Sequence, residues 1–266
     1  MKVQRDFLLV VTLAAAVATP AFGQMGPPEA ADMFTGIWWH PTLPSFEPLA
    51  TGPKPVTNKI RYRGASDYNN LVGDHSNPIL KPWAADVVKK YGDVSLSGTV
   101  APNPANQCWP EPVPFIYKNF GLQMLQKPNE ITLIYEQDHE FRKIRMNQPH
   151  SENVKPSFSG DSVGHWEGDT LVVETIGFRD GQWLDTAGDP LTDAAKLTER
   201  FRRVDFGHLQ VEITIDDPKA YTKPFSFKVN QVLVPDTELL EFICLENERD
   251  IQHMNAGAQK VGGGAK

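Results

Sequence analysis

The chain is short of cysteine, of positive charge and of long apolar runs, and each shortage excludes something. Its two cysteines, Cys108 and Cys244, in 266 residues cannot staple a miniprotein. Without a CxxC pair they support neither dithiol redox catalysis nor a four-thiolate zinc site. Lys and Arg number 26 against 33 Asp and Glu, a formal charge of −7. That balance removes the sequence-independent attraction to phosphate on which nucleic-acid and anionic-membrane binding depend, so neither partner is expected. The seven histidines show no HxH, HxxxH or HExxH spacing, so no metal site is read. GxGxxG and GxxxxGK[ST] loops and the GxSxG elbow are also missing, and no cofactor is expected.

What is present is the composition of an ordinary folded domain, 40% hydrophobic and 22% charged, with 20 Gly and 22 Pro. Residues 1–23 read as a secretory signal. Lys2 and Arg5 precede an apolar run from Phe7 to Val17, and a small–x–small ending places cleavage after Gly23. The run is shorter than the roughly 20 residues that span a bilayer, and no other segment approaches that length, so no membrane anchor is expected. Export to the periplasm or beyond puts Cys108 and Cys244 in an oxidising compartment, where they are expected to pair.

Residues 24–110 are rich in Pro, Gly and Asn and read as irregular. They carry short strands at Phe34 to Trp39 and Ile60 to Arg63, and a helix from Pro82 to Tyr91 with Gly92 beyond its end. From residue 111 to 253 alternation takes over. It marks strands at Ile131 to Tyr135, Phe141 to Met146, Ser162 to Trp166, Thr170 to Thr175, Leu197 to Val204, Leu209 to Ile215, Phe225 to Val234 and Leu239 to Cys244. Short turns at Glu167-Gly168-Asp169, Phe206-Gly207-His208 and Pro235-Asp236-Thr237 read as hairpins. Eight or more such strands close to remove their edges, so the expected fold is mainly β, a single antiparallel barrel that includes the N-terminal segment. Residues 254–266 read as a disordered tail.

The stretch 161–175, DSVGHWEGDTLVVET, is followed by Phe178, Trp183-Leu184-Asp185, Gly188 and Thr198-Glu199-Arg200-Phe201. Together they resemble a large, mostly uncharacterised family of secreted bacterial proteins, over about residues 105–250. That resemblance implies no particular chemistry. Gly36-Ile37-Trp38 is similar to the opening G-x-W of lipocalin-like (calycin) barrels, which implies a lipocalin-like fold. Some barrels of that kind host phenolic-acid lyases.

Three polar clusters are candidates for a site. Tyr135 shares a face with Leu133 and Ile131, which points its phenol inward, and His139, Arg142, Arg145 and His150 follow it. Glu199 shares a face with Leu197 and Phe201, so its carboxylate needs a partner or stays protonated. His165 shares a face with Val163 and is also read as inward. An inward Tyr135, His139, His165 and Glu199 would exchange protons, while Arg142, Arg145 and Trp166 would hold a small-molecule substrate. The reading that follows is a cofactor-independent lyase, a decarboxylase or dehydratase acting on a small aromatic or apolar organic acid. The alternative is a periplasmic small-molecule binding or carrier protein in which the same groups only orient a ligand. Substrate and oligomeric state are not readable. For each polar residue the competing role is structural: an exposed hairpin end, or for Glu199 a buried ion pair.

Overall fold

The computed structural model describes residues 33–40, 46–63, 65–66, 71–99, 101–118 and 120–246. The expected signal segment and the 254–266 tail lie outside the described residues. The elements are, in chain order, β1 (Gly36–Trp39), β2 (Glu47–Pro48), β3 (Arg61–Tyr62), β4 (Ala65–Ser66), α1 (Pro82–Leu96) and α2 (Pro104–Gln107). They continue with β5 (Leu122–Lys127), β6 (Glu130–Tyr135), β7 (Phe141–Met146), β8 (Asp161–Glu167), β9 (Thr170–Ile176) and β10 (Gln182–Trp183). The chain then forms β11 (Pro190–Leu191), β12 (Lys196–Asp205), β13 (His208–Asp216) and β14 (Phe225–Leu233).

One sheet runs β1-β5-β6-β7-β8-β9-β12-β13-β14, and β1 pairs again with β14, which closes a barrel; β2 lies against β14 outside the ring. Antiparallel neighbours alternate in direction, so a ring with an odd number of strands must contain a parallel pair. That pair is β7 and β8, in register at Ile144↔Ser162, Arg145↔Val163 and Met146↔Gly164. Residues 147–160 make the long return that parallel neighbours require. The expected strand at Leu239 to Cys244 does not form. Its place beside β14 is taken by β1, paired through Trp38↔Leu233 and Trp39↔Val232.

Alternation decides which side chains fill the barrel. Leu209, Val211, Ile213 and Ile215 of β13 point inward with Phe225, Phe227 and Val229 of β14, and they join Met124, Ile131, Leu133, Ile144, Leu171, Val173, Leu197 and Phe201 in one core. Burying each such side chain is worth about 1.5–3 kcal/mol, which is what holds the ring shut. Helix α1 starts with Pro at its first turn and buries Ala84, Val88 and Gly92 on one face. It runs on past the expected stop at Gly92 to Leu96, and that glycine lies against Val72, where an added Cβ would stand 3.0 Å from Cγ1. The indole Nε1 of Trp83 donates to the carbonyl of Lys219 at 2.8 Å and ties the helix to the corner after β13.

Candidate functional site

Residues 142, 144 and 146 of β7 face the core, so Arg142 enters the barrel with Ile144 and Met146. Across the ring, Glu199 of β12 sits between Leu197 and Phe201 on the buried face. The two meet: Arg142 Nη1 donates to Glu199 Oε1 at 3.1 Å, and Nη2 donates to Oε2. The remaining contacts of the guanidinium go to hydroxyls, Nε to Ser162 Oγ at 2.8 Å and Nη2 to Thr175 Oγ1 at 2.6 Å. Tyr117 completes the cluster from a 3-10 turn at Phe115–Lys118, its hydroxyl donating to Glu199 Oε1 at 2.7 Å.

Glu199 is 0% exposed and Arg142 2%. Burial alone would lower the guanidinium's pKa, but the Glu199 carboxylate beside it more than reverses that, so Arg142 stays charged. Burial pushes the Tyr135 phenol up to about 12, and burial together with Glu199 pushes Tyr117 well above its ordinary value. Both phenols therefore keep their protons at neutral pH. Tyr135 packs edge-on to Tyr117 at 6.1 Å between ring centres.

The parallel seam gives this cluster an outer side. Register between β7 and β8 begins only at Ile144, so the first half of β7 faces a loop and not a strand. A cavity of 550 Å³ lies there, lined by His139, Glu140, Phe141, Arg145 and Phe158 among others, and it reaches Arg142 and Ser162. Burial lifts the Glu140 carboxyl to about 7, although Oε1 accepts the Glu111 backbone N–H at 2.9 Å. At the rim Arg145 grips Asp161 with two bonds, of 2.7 and 3.0 Å, and His150 Nδ1 lies 2.9 Å from Asp161 Oδ2. The Arg145 guanidinium holds the Asp161 carboxyl far below the usual carboxylate range.

The expected site residues separate into four groups. Tyr135, Arg142 and Glu199 come together in the barrel, with Glu199 paired to an arginine. His139 and Arg145 stand at the seam cavity outside it. His165 does neither: it is exposed and faces Glu167 at 3.2 Å, so the inward reading is corrected. The inward residues of β8 are Ser162, Gly164 and Trp166, small where Arg142 and Ile144 cross them, and Val163 misled the assignment of faces. Trp166 does point inward, stacked on Phe34 at 5.4 Å, but four residues along the strand from Ser162, about 13 Å away.

Sequence reasoning missed Tyr117, Ser162 and Thr175, and also a second buried cluster. Lys118 is fully buried, donates to Thr186 Oγ1 at 3.0 Å and lies 4.9 Å above the Phe46 ring. Burial lowers its pKa, and burial with the neighbouring Asp185 pushes the Asp189 carboxyl well up. Among the described residues no group of three His, Cys, Asp or Glu side chains could hold a metal ion. Cys108 and Cys244 form a disulfide, which fits an oxidising, non-cytoplasmic compartment. No helix of the described residues is long and apolar enough to cross a membrane.

No protein-family profile and no curated protein matches the chain. Among solved structures it is similar to a mutant of the fluorescent protein UnaG, at 17% identity over 44% of this chain and 72% of that one, with a TM-score of 0.27. The barrel itself rests on the strand pairings, from β1 round to β14 and back.

Proposed function

We propose that this protein is an exported small-molecule binding protein that takes a small organic monocarboxylic acid in the cavity between β7 and β8. The observation that carries the reading is the make-up of that cavity. It gathers Arg142, Lys143 and Arg145, paired with Glu199, Glu130 and Asp161, beside a Glu140 whose carboxyl burial lifts to about 7. Phe141, which is 64% exposed, and Phe158 supply apolar walls. A single negative charge on a small apolar body matches such a lining. The export signal read at residues 1–23 and the Cys108–Cys244 bridge support an extracytoplasmic carrier.

The lyase reading is weaker because its four acid–base groups do not converge. Tyr135 and Glu199 are sealed behind Arg142, His165 projects outward and His139 stands at the rim. The groups that do meet in the barrel are occupied with one another. Titration calorimetry with benzoate and with hexanoate tests the proposal. Binding is expected, and Arg145→Ala should weaken it about tenfold or more, the worth of a charge-assisted hydrogen bond. No heat from either acid, or equal affinity in the variant, overturns the reading; loss of the acid to a product on incubation would restore the lyase.

A further inference from the structure

Two more cavities lie beside the seam, of 350 and 260 Å³, and they share the segment Asp180–Trp183. Of the six tryptophans in the chain, Trp83, Trp109 and Trp183 line them. Trp109 is 46% exposed and Trp83 43%, so two indole faces are left toward water where burial would have been favourable. Tyr91 packs against Trp183 at 4.2 Å and lines the smaller cavity with it. Phe158, stacked beneath the Arg179 guanidinium at 5.0 Å, walls the larger one.

The polar groups between these rings have an unmet need. Gln182 is only 6% exposed, and its amide nitrogen is used internally, donating to the carbonyls of Arg179 at 2.9 Å and Ser157 at 3.4 Å. Its Oε1 has no hydrogen-bond partner among the described residues. A buried acceptor left unmet costs about 1–3 kcal/mol, which a ligand donor would recover. Gln182 and Asp180 each line both cavities. Aromatic faces beside the unmet Gln182 acceptor call for a ligand with apolar C–H faces and outward hydroxyl donors. Asp180 and Arg179, of opposite charge, both line the larger cavity, so its lining selects for neither sign and suits a neutral ligand. Two adjoining cavities suit more than one ring.

From this we infer that the paired cavities about Asp180–Trp183 bind a neutral oligosaccharide, with a ring stacked on Trp109 and a sugar hydroxyl donating to Gln182 Oε1. The larger cavity shares Pro110 and Phe158 with the acid-binding cavity at the seam, whereas Trp109 and Gln182 line it and not the seam. Tryptophan fluorescence titration of the full chain with cellohexaose, chitotetraose and maltohexaose tests it. At least one of the three should shift the emission saturably. Trp109→Ala, a change at an exposed position, should weaken that binding about three- to tenfold, the range expected for one aromatic stacking contact. Gln182→Leu should weaken it about tenfold by removing the acceptor. Arg145→Ala should leave sugar affinity unchanged, which separates this site from the seam. Failure of all three sugars to bind overturns the inference, and so does sugar affinity unaffected by both Trp109→Ala and Gln182→Leu. Should Gln182→Leu not fold, Trp109→Ala decides the matter alone.

Discussion

Arg142 and Glu199, 57 positions apart in the chain, face each other across the barrel interior as a bidentate ion pair with both side chains out of water. Two charges taken from water cost several kcal/mol each, and here the cost is offset by their mutual attraction and by the hydroxyls of Tyr117, Ser162 and Thr175. The pair is therefore worth most when intact. Glu199→Gln should lower stability by about 3–5 kcal/mol, because it leaves the guanidinium buried without its counter-charge. The double change Arg142→Met with Glu199→Leu should recover more than half of that loss. Urea midpoints of the three proteins measure both effects; a double variant no better than Glu199→Gln would show that the hydroxyls, not the charge, hold the cluster.

Glu140 makes the stability depend on pH. Its carboxyl titrates near 4.5 in a free chain and near 7 in the fold, so between those values the folded state binds the extra proton. The stabilising contribution is complete below pH 4.5 and is lost as pH rises through 7. With solvent screening at this partly exposed site the loss is on the order of 1–2 kcal/mol. Glu140→Gln should remove that slope from a plot of unfolding free energy against pH between 5 and 8. If the slope persists in the variant, it belongs to another group.

Much of the barrel was legible because period two survives wherever one face is buried: β6, β7, β9, β12, β13 and β14 all sit close to their expected bounds. Strand β5 was not, since Leu125 breaks the alternation by lying 36% exposed among glutamines. Glu199 and Tyr135 could be placed inward from their apolar neighbours, whereas Ser162 and Gly164 carry no hydrophobic signal, and one step of register reverses every side chain of β8. Tyr117 and Lys118 lie in a single 3-10 turn, too short for any period. Their burial depends on partners 82 and 68 positions away, which no local pattern encodes.

Two glycines with similar backbone angles should respond differently to alanine. Gly168 opens the two-residue turn between β8 and β9 at φ +63, and an added Cβ would meet nothing within 4 Å. Gly168→Ala should therefore cost only the backbone strain, about 1–2 kcal/mol. Gly160 has φ +66 at the mouth of the seam cavity, but its Cβ would stand 2.6 Å from Thr175 Cγ2 and 2.7 Å from the Ile176 carbonyl. Gly160→Ala should cost about 3 kcal/mol or more, since overlap is added to strain and Thr175 is a partner of Arg142. Thermal melts of the two variants check the order, and equal losses would contradict it.

The disulfide should matter more to the C-terminal segment than to the barrel. Residues 238–246 form no strand, and Leu240, Ile243 and Leu245 remain largely exposed, so little apolar burial holds the segment down. Its attachments are the Cys108–Cys244 bridge, the bond from Cys244 N–H to Asp138 Oδ1 at 2.7 Å and the ring contact of Phe242 with Phe120 at 4.5 Å. Closing a sequence separation of 136 residues restricts the unfolded chain by roughly 5 kcal/mol on the entropy model, with measured gains often nearer 2–4 kcal/mol. Alkylation without reductant should leave the intact mass of the oxidised protein unchanged. The pair Cys108→Ser and Cys244→Ser should lower the melting temperature and open residues 238–246 to trypsin-like and chymotrypsin-like cleavage, while far-ultraviolet circular dichroism still shows the barrel. Two alkylated cysteines in freshly prepared protein, or a segment as resistant without the bridge as with it, would remove the disulfide from this role.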